Sequence, residues 1–388
     1  MVGSDGLGEG EAIDLDLEIL GIVGLRDPLR PTAAESIRRA RAEGVEVAIL
    51  TGDHPVTAAA IARALELPDG VPLTGSQFEE LDDEALGAAM RDHNVFARVT
   101  PADKLRLVEA LQRSGQVVAV TGDGINDTPA LRRADVGVSM GRSGTEAARE
   151  AADVVLTDDD FATIVAAIAE GRRIAQNIRN FVSFLLSANL GEVVLFAIAI
   201  LAGIGAPMTV VQVLTVNLLT DGLPAVALSR DPASGLTLRS RPRGHGTLFP
   251  RRLQLALALM GLAVGLSATA AYVIGRATEP DAAQTMAFAT LALAELILVF
   301  SIRTGTSPAW KAPRNSLLVS SVLVSFLLLL LSIYLAPLRD AFGTEPLGIA
   351  AAAIVAGLAI APAALTEAAK VALCARRRRS GSAATPVA

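Results

Sequence analysis

The sequence predicts an α/β domain with a parallel sheet, followed by an all-α membrane bundle of six helices. Three observations lead there. Up to about Asp160, short apolar runs that read as strands alternate with amphipathic helical stretches, the order that builds a parallel sheet with right-handed crossovers. Beyond about Phe181 the chain becomes a series of long apolar runs, each near the ~20 residues needed to cross a bilayer. The composition, 52% hydrophobic over 388 residues with a mean hydropathy of +0.47, is too apolar for an ordinary soluble protein. A formal net charge of −6 gives no nucleic-acid footprint. A single cysteine, Cys374, excludes a disulfide framework, and His54, His93 and His245 are too scattered for a metal cluster. The polar, Gly-rich start is not a signal peptide, and there is no Walker A pattern and no repeat of fixed period.

In order along the soluble part, Leu17–Leu25 is an apolar strand broken by Arg26-Asp27-Pro28. Thr32 then caps a helix through Ala42, with Glu35 completing a capping-box pattern. Val45–Leu50 is a strand ending in Thr51-Gly52-Asp53, and a helix follows over about Val56–Leu65. Asn94–Val99 is the third strand, and Pro101 opens a helix that carries Lys104. Gln116–Val120 is the fourth strand, Val136–Met140 and Val154–Leu156 the fifth and sixth, with a helix over Gly144–Ala151 between those two.

The fourth strand runs into Thr121-Gly122-Asp123-Gly124-Ile125-Asn126-Asp127. That places two carboxylates and an amide on a Gly-permitted turn at the carboxyl edge of the sheet, where open α/β sheets take their ligands. Carboxylates so placed suit a hard cation such as Mg²⁺, which prefers oxygen and bridges to phosphate. An ordinary Asp/Gly turn would have the same residues, so the heptapeptide alone leaves both readings open. Thr51 adds a hydroxyl and a backbone N–H, and Lys104 a point charge, though each is also at home as a turn residue or on a solvated helix face.

The order Thr51, Lys104, Asp123-Gly-x-Asn126-Asp127 is similar to the haloacid-dehalogenase type of phosphotransferase site. More specifically, residues 17–235 resemble the C-terminal half of a P-type cation-transporting ATPase, closest to the calcium-pump type. The matching strings are Arg26-Asp27-Pro28, Thr51-Gly52-Asp53, Phe96 through Pro101 with Lys104, and Thr121 through Leu131. They continue with Asp158-Asp159-Asp160-Phe161, Asn189-Leu190-Gly191-Glu192 and Asn217 through Pro224. The resemblance implies a partial haloacid-dehalogenase-like (Rossmannoid) sheet. It implies Asp123 as the Mg²⁺ ligand, Thr51, Lys104 and Asn126 as phosphoryl-contacting groups, and Asp127 as their support. Asp53 and Arg98 would face the nucleotide, ATP. In the family an aspartate within Asp-Lys-Thr-Gly-Thr accepts the phosphoryl group. Here the one Asp-Lys pair, Asp103-Lys104, is followed by Leu105. The acceptor strand, the nucleotide-binding and actuator domains and the first four membrane helices are therefore expected to lie outside this chain, along with half of the Mg²⁺ site and the central strand of the sheet.

The expected domains are 1–158, a partial phosphorylation domain, 159–375, a stalk and six-helix membrane domain, and 376–388, a basic cytosolic tail. The predicted spans are about 182–203, 208–228, 253–274, 283–302, 316–335 and 347–373, the first preceded by a polar stalk carrying Glu170, Arg172, Arg173 and Arg179. The loop after the second span holds Arg230, Arg239, Arg241, Arg243, Arg251 and Arg252, and the loop after the fourth holds Arg303, Lys311 and Arg314. With Arg376–Arg379 in the tail, and only Arg276 and Arg339 in the alternate loops, the positive-inside rule puts the soluble part and both termini in the cytosol. The expected location is the plasma membrane.

Polar groups stand out within the spans: Asn189 and Glu192 in the first, Asn217, Thr220 and Asp221 in the second, Glu295 in the fourth. Interhelical hydrogen bonding accounts readily for the Asn and Thr residues. It accounts poorly for the acids, since an ionised side chain at mid-bilayer costs ~2.5–3.5 kcal/mol even on the lenient insertion scale. Oxygen-only ligands point to a hard cation such as Ca²⁺. Gly222 and Pro224, just after Asp221, suggest an unwound turn with free carbonyls. The resemblance places all six polar residues at the calcium pump's transport site. The leading expectation is thus the C-terminal portion of an ATP-driven cation pump, partnered by the lipid bilayer and by a separately encoded N-terminal half. The alternative is a non-catalytic membrane binding or regulatory subunit derived from a pump. A free-standing membrane phosphatase is disfavoured by the missing nucleophile.

Overall fold

The computed structural model describes residues 28–68, 70–90, 92–232 and 248–379. The predicted strand Leu17–Leu25, Arg26-Asp27, the arginines at 239, 241 and 243 and the end of the tail lie outside the described residues. The chain divides into two units, Met1–Pro31 and Thr32–Ala388, and the elements below all belong to the second.

The soluble part is two small parallel sheets with helices between the strands. In chain order its elements are α1 (Ala33–Ala42), β1 (Ile49–Thr51), α2 (Pro55–Ala64), β2 (Leu73–Thr74), α3 (Gly75–Glu80), α4 (Asp83–Ala89) and β3 (Val95–Ala97). They continue as α5 (Pro101–Arg113), β4 (Ala119–Gly122), a single 3₁₀ turn Ile125–Asp127, α6 (Thr128–Arg133), β5 (Val136–Met140), α7 (Glu146–Ala151) and β6 (Val154–Leu156). One sheet has the order β1-β3-β2, the other β4-β5-β6, and every pairing is parallel. β3 is buried along its length, and Phe96 meets Phe78 edge-on with ring centroids 5.4 Å apart. β1 and β4 each pair on one side only among the described residues, and β4 leaves Ala119 and Thr121 exposed.

Local chemistry sets the helix starts. α5 opens on Pro101 behind Thr100, whose hydroxyl accepts from Asp103 N while the Asp103 carboxylate accepts from Thr100 N, a reciprocal box. Its apolar face, Leu107, Val108, Ala110 and Leu111, is buried. The capping box expected at Thr32 does not form. Thr32 is already in the helical region, so its hydroxyl is free to donate to Asp160 Oδ1 at 2.9 Å, and Glu35 instead pairs with Arg38 and Arg39.

The membrane part begins with α8, Phe161–Leu201, a 41-residue helix capped by Asp160. At 1.5 Å per residue it is roughly 60 Å long, about twice the hydrocarbon thickness. Next come α9 (Val210–Thr215), a π-helical turn over Val216–Asp221, α10 (Gly222–Leu228), α11 (Arg251–Thr278) and α12 (Ala283–Ile302). The last three helices are α13 (Ser316–Tyr334), α14 (Ala336–Phe342) and α15 (Ile349–Arg379). Among the described residues, six helical stretches are long and apolar enough to cross a membrane. Their outer faces expose Leu186, Val193, Leu255 and Leu259, as a lipid solvent allows. α12 is the central helix, its span 83% buried. α8 and α11 touch backbone to backbone at glycines: a Cβ on Gly265 would stand 2.6 Å from Val194 Cβ and 2.7 Å from Gly191 O.

A polar knot ties the helix ends on one side of the bundle. Arg303 clasps Asp231 through two bonds, of 2.6 and 3.1 Å, with side chains only 6% and 7% exposed. Asn315 adds a bond to Asp231 Oδ1 at 2.8 Å, and Asn177 of α8 donates to the Asp231 carbonyl at 3.1 Å. Arg303→Met, which strands a buried carboxylate, is expected to cost about 3–5 kcal/mol, while Arg303→Met with Asp231→Leu recovers much of that loss. Thermal unfolding of the purified chain in detergent checks it; a single variant as stable as the parent contradicts the role of the pair.

Candidate functional site

The sequence-predicted residues fall on the soluble part and inside the bundle. Those on the soluble part lie at the carboxyl ends of two separate sheets, β1 and β3 in one and β4 in the other. Parallel pairing brings Thr51 beside Ala97, so β1 and β3 end together. Beyond them the chains stay joined: Val99 N donates to Thr51 O and Arg98 N to Asp53 O, each at 3.1 Å. Arg98 turns into the left-handed region at φ +54, which ends the strand and leaves its side chain exposed. Thr51 Oγ1 accepts from Asp53 N at 3.1 Å, a tight turn that leaves Gly52 and Asp53 exposed.

Along the β4 edge, Lys104 reaches from the first turns of α5 to Asp127, Nζ to Oδ1 at 2.6 Å, with side chains 18% and 15% exposed. The other oxygen, Asp127 Oδ2, accepts from Gly124 N at 3.4 Å. Asp127 is thus occupied as a brace across the turn. Gly122 is required there, because a Cβ would stand 2.5 Å from Asp127 Cβ. Asp123 and Asn126 are exposed on the same turn, and the Asp123 carbonyl accepts from Thr145 N at 2.8 Å. Of the two carboxylates that composition alone made equivalent, one is engaged and one is free. Asp123 fits a Mg²⁺ ion that keeps waters and phosphate oxygens as its other ligands. Among the described residues no three Asp, Glu, His or Cys side chains, Glu192, Asp221 and Glu295 included, are assembled as a metal site in this conformation. No hydrogen bond among the described residues joins the Thr51–Asp53–Arg98 group to the Asp123–Asp127 group.

Asp159 lies within the matching string Asp158–Phe161, and its sequence pattern alone assigns it no role. It stands at φ +56, and its carboxylate accepts from the backbone N–H groups of Gly141, Arg142 and Ser143 at 2.7, 3.0 and 2.8 Å. Those bonds, led by the one from Arg142, hold its pKa at about 2. The sign follows: a depressed carboxylate adds stability that is complete above the unfolded value of about 3.9 and is lost as pH falls through about 2. Acid unfolding of the soluble part over that window is expected to be blunted in Asp159→Asn. Circular dichroism against pH reads it, and identical acid transitions in parent and variant refute it.

The second place is inside the bundle. Glu192 of α8, Thr220 and Asp221 of the π turn and Glu295 of α12 are buried at 9%, 1%, 1% and 1% exposure. Asn217 Nδ2 donates to Glu192 Oε1 at 2.7 Å, so no helix intervenes between those two spans. The Glu192, Asp221 and Glu295 carboxyls lie within electrostatic reach of one another. With both carboxyls ionised, Asp221 Oδ1 and both oxygens of Glu295 have no donor, while the two carboxyls stand close enough to share a hydrogen bond through one proton. Buried oxygens left bare are costly, and a bound cation or a proton is what relieves them. Thr220 Oγ1 donates within its own helix to Val216 O at 2.7 Å.

Asn189 does not join this group. It is exposed, and its amide donates to Leu185 O of its own helix at 2.8 Å. The inward face of α8 runs through Ala188, Gly191, Glu192 and Leu195, which turns Asn189 outward. The predicted unwound turn after Asp221 is instead the π turn before Gly222. Such turns collect at functional sites, and Pro224 supplies no N–H to the Thr220 carbonyl. Thr290 Oγ1 of α12 is also buried without a partner. In an apolar run a single Thr gives no signal.

The chain matches the family described as "Cation transporting ATPase, C-terminus" over residues 205–372. It matches haloacid dehalogenase-like hydrolase families over residues 3–135 and 104–168. The calcium-transporting ATPase of Bacillus subtilis (strain 168) is 43% identical over 341 residues, covering 86% of this chain and 38% of that protein. Calcium-transporting ATPase 1 of Bacillus cereus is 36% identical over 383 residues, 93% of this chain and 43% of the relative. The calcium-transporting ATPase type 2C member 2 of Mus musculus is 36% identical over 360 residues, 90% and 38% of the two chains. The chain spans about two-fifths of the length of these relatives, each of which carries the matched stretch within a longer polypeptide.

Proposed function

Because the chain belongs to the P-type cation-transporting ATPases, as the C-terminal portion of a calcium-pump-like member, we propose that it couples phosphoryl transfer at the Asp123 turn to passage of Ca²⁺ through the bundle. The observation that carries this is the set of bare carboxylate oxygens at Asp221 and Glu295, buried beside Glu192. Its substrate is a hard divalent cation, because the inward donors are carboxylate, amide and hydroxyl oxygens. Glu192, Asp221, Glu295, Asn217 and Thr220 are its proposed ligands. Asn189, facing outward, is assigned no direct contact in this conformation.

At the other end, Asp123 would hold Mg²⁺, with Lys104 and Asp127 bracing the turn. When bound, Mg²⁺ neutralises charge on a transferring phosphoryl group. Thr51, whose Oγ1 already accepts from Asp53 N, presents its hydroxyl hydrogen to the phosphoryl oxygens, Asn126 adds its amide, and Asp53 and Arg98 face the ATP that the N-terminal portion brings. That portion supplies the acceptor aspartate, whether in the same polypeptide or as a separate chain. The protein is a multi-pass integral membrane protein. The basic loops support an orientation with the soluble part in the cytosol, and the plasma membrane as its site. The reading as a non-catalytic subunit has no observation in its favour.

These 388 residues by themselves are expected to form no acyl-phosphate, since covalent catalysis needs its nucleophile and no Asp-Lys-Thr-Gly-Thr string is present. Labelling the purified chain with γ-³²P-ATP and quenching in acid tests this: no stable label is expected, and a stoichiometric acid-stable label overturns it. Joined to an N-terminal portion with the acceptor, the same chain is expected to label in the presence of Ca²⁺.

A further inference from the structure

Asp159 sits between two structures that the chemistry must keep in register. Its side chain faces the loop after β5, where the two carboxylate oxygens collect the N–H groups of Gly141, Arg142 and Ser143. That loop has little slack. A Cβ on Gly141 would stand 2.6 Å from Leu156 O and one on Gly144 2.0 Å from Met140 O, so both glycines are pressed against backbone. Arg149 Nη1 binds the carbonyls of Gly141 and Gly144 at 3.3 and 2.6 Å. The next residue, Thr145, donates its N–H to the carbonyl of Asp123 at 2.8 Å. From Asp159 to the Asp123 backbone there is therefore an unbroken path of three bonds to the loop, the loop itself, and one bond onward.

The main chain of Asp159 is fixed to the opposite partner. Asp160 caps α8 through Ala162 N at 2.9 Å, and its Oδ1 also receives the Thr32 hydroxyl. Asp158 Oδ2 accepts from Thr163 Oγ1 at 2.6 Å, inside the first turn of α8. The same helix carries Glu192, 31 residues beyond Phe161 (192 − 161) and about 46 Å further along at 1.5 Å per residue. Asp159 holds a left-handed backbone, φ +56, which few residues other than Gly, Asn and Asp tolerate. A conformation of that cost persists where its surroundings fix it.

We propose that Asp159 is a positioning residue that fixes the Asp123 turn against the first turn of α8, so that the two move together. The inference rests on Asp123 being the metal-bearing residue of the phosphotransfer site, and its test is independent of turnover. Hydrogen exchange is followed by mass spectrometry on the full 388-residue chain in lipid nanodiscs. Asp159→Gly removes both oxygens while accepting the left-handed backbone; Asp159→Asn keeps that preference and one acceptor oxygen. In Asp159→Gly, exchange over residues 119–127 and 141–145 is expected to speed up by about 10- to 100-fold, as for the loss of charged hydrogen bonds. Asp159→Asn is expected to restore part of that protection, and residues 95–113, on the other sheet and α5, to exchange at the parent rate. No change over 119–127 overturns the proposal, and so does equal acceleration over 95–113, which marks a general loss of fold. If the relay is seen but Asp123→Asn leaves turnover normal in a chain joined to the N-terminal portion, the phosphotransfer reading fails and the relay stands.

Discussion

Asp221→Asn, in a chain joined to the N-terminal portion proposed above, is expected to lower Ca²⁺ affinity by a factor on the order of 10²–10³. Removing a carboxylate paired with a buried cation costs about 3–5 kcal/mol, and each 1.4 kcal/mol is tenfold in affinity. Asp221 is 1% exposed and keeps one oxygen bare, so its charge has no compensation other than a cation or a proton. Glu295→Gln is expected to act in the same direction, because both of its oxygens are bare and it shares the site electrostatically with Asp221. Asn189→Ala is expected to leave affinity unchanged, since that side chain is exposed and bonded to its own helix. Equilibrium binding of ⁴⁵Ca²⁺ to the purified protein measures all three. Parent-like binding by Asp221→Asn, or a loss with Asn189→Ala equal to that with Asp221→Asn, contradicts the assignment.

The second large effect belongs to Asp123. Asp123→Ala is expected to lower ATP turnover of the joined protein by about 10²–10³-fold, the range seen when one electrostatic stabiliser of a transition state is lost. Lys104→Ala is expected to fall as far by another route, because it removes the ion pair of Asp127 and leaves that carboxylate held by the long Gly124 bond alone. The two differ in metal dependence. Raising Mg²⁺ is expected to recover part of the Asp123→Ala loss and none of the Lys104→Ala loss. Near-normal turnover in Asp123→Ala contradicts the phosphotransfer role.

Much of this was legible in the chain. The βαβ alternation and the apolar runs carried the fold class, because strand period, helix period and membrane length are each written in side-chain pattern. Glu192, Asp221 and Glu295 stood out because charge in an apolar run has no bland explanation. What was hidden is what depends on rotation and on distant partners. Asn189 and Glu192 are three residues apart, near enough for one broad helix face, yet the buried stripe of α8 takes in only Glu192. Thr32 and Glu35 have capping-box spacing, but Asp160, 128 residues away, takes the Thr32 hydroxyl. The π turn at Val216–Asp221 needs six residues of backbone geometry that Gly222 and Pro224 only hint at. Asp159 and the Arg303–Asp231 knot join segments far apart in sequence, and no local pattern announces them.

The most direct measurement is ATP-driven ⁴⁵Ca²⁺ uptake into inside-out vesicles that hold this chain joined to an N-terminal portion bearing the acceptor aspartate. Uptake is expected to need ATP and Mg²⁺ and to be abolished separately by Asp123→Ala and by Asp221→Asn. An assembled, phosphorylating protein that moves no Ca²⁺, or one that moves it equally well with Asp221→Asn, would contradict the proposed coupling.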